Sequence, residues 1–129
     1  LYGVTAGSYN ASFGCLEMGA PEGKPEVFVI GGNGSGIPTY RRLQRAGIPF
    51  AAGVLHENDV DYQVAKDLAA EVIVEQPFEE ISEEAYQKAY ASMKKCREVI
   101  CCMDAFGTSN KKNQLLREEA ERMKKLKIN

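Results

Sequence analysis

From Glu26 onward, short apolar runs alternate with longer stretches in which apolar residues recur every third or fourth position. Val27-Phe28-Val29-Ile30 is too brief for a helix, and its β-branched and aromatic residues suit a strand buried on both faces. A helix is expected from about Pro38 to Ala46, with Ile37, Tyr40, Leu43 and Ala46 on one side and Gly47 as its stop. Phe50 to Leu55 reads as a second strand. Asp59 is placed to cap a helix in which Val60, Val64 and Leu68 recur every fourth residue beside Ala65 and Ala69. Val72-Ile73-Val74 reads as a third strand, closed by Gln76-Pro77-Phe78. Ser82 caps a third helix, with Glu83 and Glu84 in its first turn, where the dipole favours acids, and Ile81 set to pack on Tyr86. Val99 to Met103 is a fourth strand. Gln114 to Lys127 is a last, highly charged helix, with Leu115, Leu116, Ala120 and Met123 facing inward.

Strands that alternate with helices of this length imply a parallel sheet with right-handed crossovers. The expected fold is α/β: a Rossmann-like doubly wound parallel sheet of four core strands in the order 3-2-1-4, with helices on both faces. Residues 26–129 form this domain. Residues 1–25, rich in Gly, Ser, Ala and Asn, read as an N-terminal extended segment adapting it to an upstream domain. A chain that opens on Leu1 is expected to be a piece of a longer protein.

Bulk properties narrow the partners. The 129 residues carry 16 basic and 18 acidic side chains, a net charge of -2, which argues against a general nucleic-acid grip. No apolar run approaches the roughly 18 residues that cross a bilayer. Cys15, Cys96, Cys101 and Cys102 form no CxxC pair, so a reduced compartment is expected and not a disulfide framework.

The chemistry concentrates after the first strand, in Gly31-Gly32-Asn33-Gly34-Ser35-Gly36. A strand, a glycine turn and a helix aim backbone N–H groups and the positive end of a helix at one point, which attracts an anion. Ile37 and Pro38 stand where a Walker A loop needs Lys and Ser or Thr, so ATP hydrolysis by this loop is not expected. Against GxGxxG, Gly32 and Gly34 fit, but Ile37 occupies the third glycine position. Glu57 lies where a ribose-binding acid would stand. Two readings stay open: the loop binds a phosphate or carboxylate, or it is a tight turn that needs positive φ and holds no ligand. Other strand-end loops carry His56, Glu57, Asp59, Asp104 and Thr108, and with Gly31 to Gly36 the last four complete the expected ligand-binding set. His56 is open between general base, metal ligand and backbone-bonded loop residue, with no metal site expected. Asp104 is open between a ribose or amine holder and a turn residue followed by a cap at Thr108 or Ser109. His56 and Asp104 are the weak catalytic candidates. Cys101 and Cys102 read as small hydrophobes in a strand. Arg41 and Arg42 lie one turn into the first helix, where they can assist an anion.

Several stretches carry a family resemblance. Leu1-Tyr2-Gly3-Val4 is similar to a segment near the end of ATP-binding subunits of iron–siderophore, haem and cobalamin ABC importers. The run PEVFVIGGNGSGIPTYRRLQRAGIPFAAGVLHENDVDYQVAKDLA, with EVICCMDAFGTSNKKN, resembles an extra C-terminal domain of some of those subunits. No Walker A, signature or Walker B motif is present, so no ATPase residue transfers to this chain. The resemblance implies a cytoplasmic accessory domain, peripheral to the inner face of the membrane. Its implied partners are an upstream ABC ATPase domain and a membrane permease. Its cofactor is undetermined, a nucleotide or other small anionic ligand at the glycine loop. A nucleotide-processing enzyme and a pure subunit-interaction module, including a homodimer, are the alternatives.

Overall fold

The computed structural model describes residues 19–74, 81–102 and 111–128. The elements run β1 (Val27–Ile30), α1 (Ile37–Arg45), β2 (Phe50–Val54), α2 (Val60–Leu68), β3 (Glu71–Val74), α3 (Glu83–Lys95), β4 (Glu98–Cys101), α4 (Lys111–Arg122) and β5 (Leu126–Ile128). All strand pairs are parallel, in the order β3-β2-β1-β4-β5. The expected order of the first four strands matches, and a fifth strand extends the sheet beyond β4.

Strand alternation divides the core. Phe28, Ile30, Ala51, Ile73 and Val99 pack with Ala89 and Met93 of α3 and Leu116 of α4. Val27, Val29, Phe50 and Ala52 pack with Tyr40 of α1 and Ala65 of α2. Every residue of β1 and β2 is buried, as continuous apolar runs in a two-sided sheet require. Each buried Phe, Ile or Val side chain contributes about 1.5–3 kcal/mol of transfer free energy.

Helix ends follow local chemistry. Gly47, at φ 74, terminates α1, and its N–H and that of Ile48 bond the carbonyls of Gln44 and Leu43. Ser82 accepts the Ala85 N–H at 3.1 Å and caps α3. Ile81 is buried in the cluster against which Tyr86 packs.

Three expectations need correction. The last helix stops at Arg122, because Lys124 takes a left-handed φ of 58 and turns the chain into β5. Lys125 then donates its Nζ to the carbonyls of Met93, Lys94 and Cys96, which caps the C-terminal end of α3 with a cation. Leu115 is exposed, and Leu116 and Ala120 carry the inner face of α4. In α2 the inner face holds Asp61 and Ala65, while Val60 is 51% exposed. The readings at residues 1–18, 75–80 and 103–110 lie outside the described residues.

Candidate functional site

Consecutive N–H groups from Gly31 to Ile37 follow β1, and each finds an acceptor inside the protein. Gly31 donates to the Gly53 carbonyl at 3.1 Å, Ser35 to that of Gly32 at 3.0 Å and Ile37 to that of Gly34 at 3.4 Å. Gly32 donates to Ser35 Oγ at 3.1 Å, and that hydroxyl donates back to the Gly32 carbonyl at 2.7 Å. The remaining amides reach across to the start of α2. Asn33 donates to Asp59 Oδ1 and Oδ2 at 3.0 and 3.1 Å. Gly34 donates to Asp61 Oδ1 at 2.5 Å and Gly36 to Asp61 Oδ2 at 2.9 Å.

This corrects the expectation of bare amides converging on a pocket. The anion at the glycine turn is supplied by the protein's own carboxylates. Asp59 also caps α2, accepting the Asp61 N–H at 3.1 Å as anticipated. Asp61 went unrecognised. An acid in the first turn of a helix is ordinarily a solvated partner of the dipole, yet Asp61 is fully buried.

Steric constraints tie the glycines to that carboxylate. A Cβ on Gly31 or on Gly36 would lie 2.8 Å from Asp61 Oδ2. One on Gly36 would also meet the Tyr40 ring and hydroxyl at 2.9 Å. Asn33 at φ 54 and Gly34 at φ 89 supply the left-handed bend that turns both amides toward α2. Burial raises the Asp61 pKa above its ordinary value, the Gly36 and Gly34 amides oppose that shift, and the charge of Asp59 adds to it.

Beneath the turn, Tyr40 is fully buried and stacks on Phe50 with ring centroids 5.2 Å apart. Its hydroxyl is buried without a hydrogen-bond partner. Burial first, then Asp61, Cys102 and Asp59, push its pKa upward and keep it neutral.

The strand order reverses between β1 and β4, and α1 starts over that point. Thr39 Oγ1 of α1 lies 3.4 Å from the Sγ of Cys102, just past β4, and Arg42 donates to the same Oγ1 at 3.4 Å. Cys102 is half-buried, whereas Cys101 and Cys96 are buried.

The fold brings Gly31 to Gly36 and Asp59 together. His56 and Glu57 sit on the loop before Asp59. His56 accepts the Asp59 N–H on its carbonyl at 3.1 Å, and its Nδ1 is buried without a partner. Glu57 is exposed, and its carbonyl accepts from Gln63 Nε2 at 3.2 Å. Asp104 and Thr108 lie outside the described residues. Among the described residues no group of His, Cys, Asp and Glu is arranged to hold a metal ion, and no helix is long and apolar enough to cross a membrane.

A sequence profile of the MJ0874 family matches residues 50–128. A protein of Methanocaldococcus jannaschii, named "Uncharacterized protein MJ0874", is 33% identical over 75 residues, which are 58% of this chain and 81% of that protein. The profile match runs from the first residue of β2 to the last of β5 and includes Asp59 and Asp61, but not the glycine turn. Neither match is to a transporter subunit, so the resemblance to an importer accessory domain is corrected. The ATPase and permease partners and the membrane-side location had rested on that resemblance.

Proposed function

The chain belongs to the MJ0874 family, and on that premise we propose that it is a non-catalytic, Rossmann-like small-molecule-binding module. Its ligand lies over the carboxyl ends of the strands, where β1 and β4 diverge, and carries an anionic group. The observation that supports this reading is the meeting of Thr39, Cys102 and Arg42 at the reversal of strand order. Open parallel sheets bind ligands at such points.

The internal use of the loop amides changes how an anion would be held. No N–H from Gly31 to Ile37 is left for a phosphate, and two carboxylates stand behind the turn. The grip therefore falls to a side chain, the exposed Arg42 guanidinium, as the cation. Asp59 is committed to the Asn33 and Asp61 amides, which removes it from any acid–base role beside His56.

Thermal unfolding against a panel of nucleotides, inorganic phosphate and small carboxylates tests this. At least one compound should raise the midpoint, and Arg42→Ala should abolish that rise while leaving the unliganded midpoint within a few degrees. A panel in which nothing stabilises the wild type, or a stabilisation that Arg42→Ala leaves intact, would refute the reading.

A further inference from the structure

A cavity of about 330 Å³ lies at the amino ends of the strands, away from the reversal point where α1 starts, and is lined by Lys24, Pro25, Glu71, Ser92 and Lys95. Three separate parts of the chain meet there. Lys24 and Pro25 precede β1, Glu71 opens β3, and Ser92 and Lys95 lie in the last turn of α3. α3 covers this side of the sheet, where Met93 shares a core cluster with Phe28 and Ile73.

Ser92 is 5% exposed, the one buried residue of the five, and so marks the inner end of the cavity. A serine inside a helix ordinarily turns its hydroxyl to the carbonyl of the preceding turn. Ser92 Oγ makes no such bond and is buried without a partner among the described residues. The Cys96 thiol beside it is a weak hydrogen-bonding group and does not satisfy it. A buried hydroxyl left in this state is uncommon and needs an explanation.

The charges around it are also uncommitted. Lys24, Lys95 and Glu71 are exposed, and none of them makes an ion pair among the described residues. Lys95 is not needed to cap α3, because the carbonyls of Met93, Lys94 and Cys96 accept from Lys125 Nζ.

We propose that this cavity binds a small zwitterion, an α-amino acid, at a site separate from the one over the carboxyl ends of the strands. The ligand's carboxylate accepts from the Lys24 and Lys95 ammonium groups and from the Ser92 hydroxyl, and its own ammonium group donates to Glu71. A plain anion would set a like charge against Glu71, and a plain cation would meet two lysines. Only a ligand that carries both signs matches all four side chains. The cavity is near the lower end of the roughly 300–1,000 Å³ range of ligand pockets, which suits a small metabolite.

Amide NMR titrations of the full chain with each standard amino acid, and with acetate, methylamine and inorganic phosphate, test this. At least one amino acid should give saturable shifts at Glu71, Ser92 and Lys95, with a Kd at least about tenfold below those of the three simpler ions. Lys95→Gln and Glu71→Gln, both at exposed positions, should each weaken that amino acid at least about tenfold and leave the circular dichroism unchanged. Ser92→Ala should weaken it as well, yet raise the unliganded melting midpoint, because it removes a buried hydroxyl that has no partner. The absence of a saturable shift with every amino acid at tens of millimolar would overturn the proposal. So would acetate or phosphate binding as tightly as the best amino acid, which would make this a plain anion site, or shifts that both glutamine variants leave intact.

Discussion

The Oδ2 of Asp61 lies 2.9 Å from the amide nitrogen of Gly36, and no side chain larger than hydrogen fits at Gly36 while that bond is made. The two residues stand 25 positions apart. Their contact joins the turn after β1 to the start of α2.

Asp61→Asn keeps the shape but places an NH2 against one of two converging N–H donors. A buried donor left without an acceptor costs about 1–3 kcal/mol. Denaturant unfolding at neutral pH should show a loss of that size. A change below about 0.5 kcal/mol would mean that the carboxylate is not holding the turn.

Gly36→Ala and Gly47→Ala separate steric from conformational cost. Gly47 sits at φ 74 in open space, so its alanine variant bears only the left-handed penalty, about 1–2 kcal/mol. At Gly36 the new Cβ would meet Asp61 and Tyr40 at under 3.0 Å. Gly36→Ala should therefore be the more destabilising of the two in parallel urea titrations, and the opposite ranking would contradict the packing described.

Asp61 also predicts a pH dependence. Burial raises its folded-state pKa above the ordinary 3.8, so between 3.8 and that raised value the folded state binds the proton more tightly than the unfolded state. Its contribution to stability therefore falls as pH rises through that window and levels off above it. The stability difference between wild type and Asp61→Asn should shrink across the same window. A difference that grows with pH would show that the amides outweigh desolvation and depress the pKa.

Burial and thiol chemistry order the described cysteines. Cys96 is 1% exposed, and burial lifts its pKa to about 11. Cys101 is 3% exposed, and Cys102 is half-buried. Iodoacetamide labelling of the native protein at pH 8, read by peptide mass, should modify Cys102 well before Cys96 and Cys101. Equal rates at all three would contradict the placement of β4.

Much of the fold was legible because its signals are local. β1 and β2 are unbroken apolar runs, Gly47 and Ser82 mark helix ends, and the alternation of runs gave the order of the first four strands. β5 was hidden because Leu126-Lys127-Ile128 is a brief extension of a charged helix, and Lys124 turns the chain without a glycine to announce it. The outward placement of Val60 was hidden for a tertiary reason. The every-fourth pattern names Val60, but the glycine-turn amides draw Asp61 to the inner face instead. The same contact explains the misjudged site: spacing revealed a turn rich in donors, but not that its acceptors lie on the next crossover.

The most direct test of this internal lock is a two-dimensional amide NMR titration with inorganic phosphate. The Asn33, Gly34 and Gly36 signals should show no saturable shift in the wild type up to tens of millimolar. A saturable shift of all three at lower concentration would show that those amides are open to an external anion, and that Asp59 and Asp61 do not fill the turn.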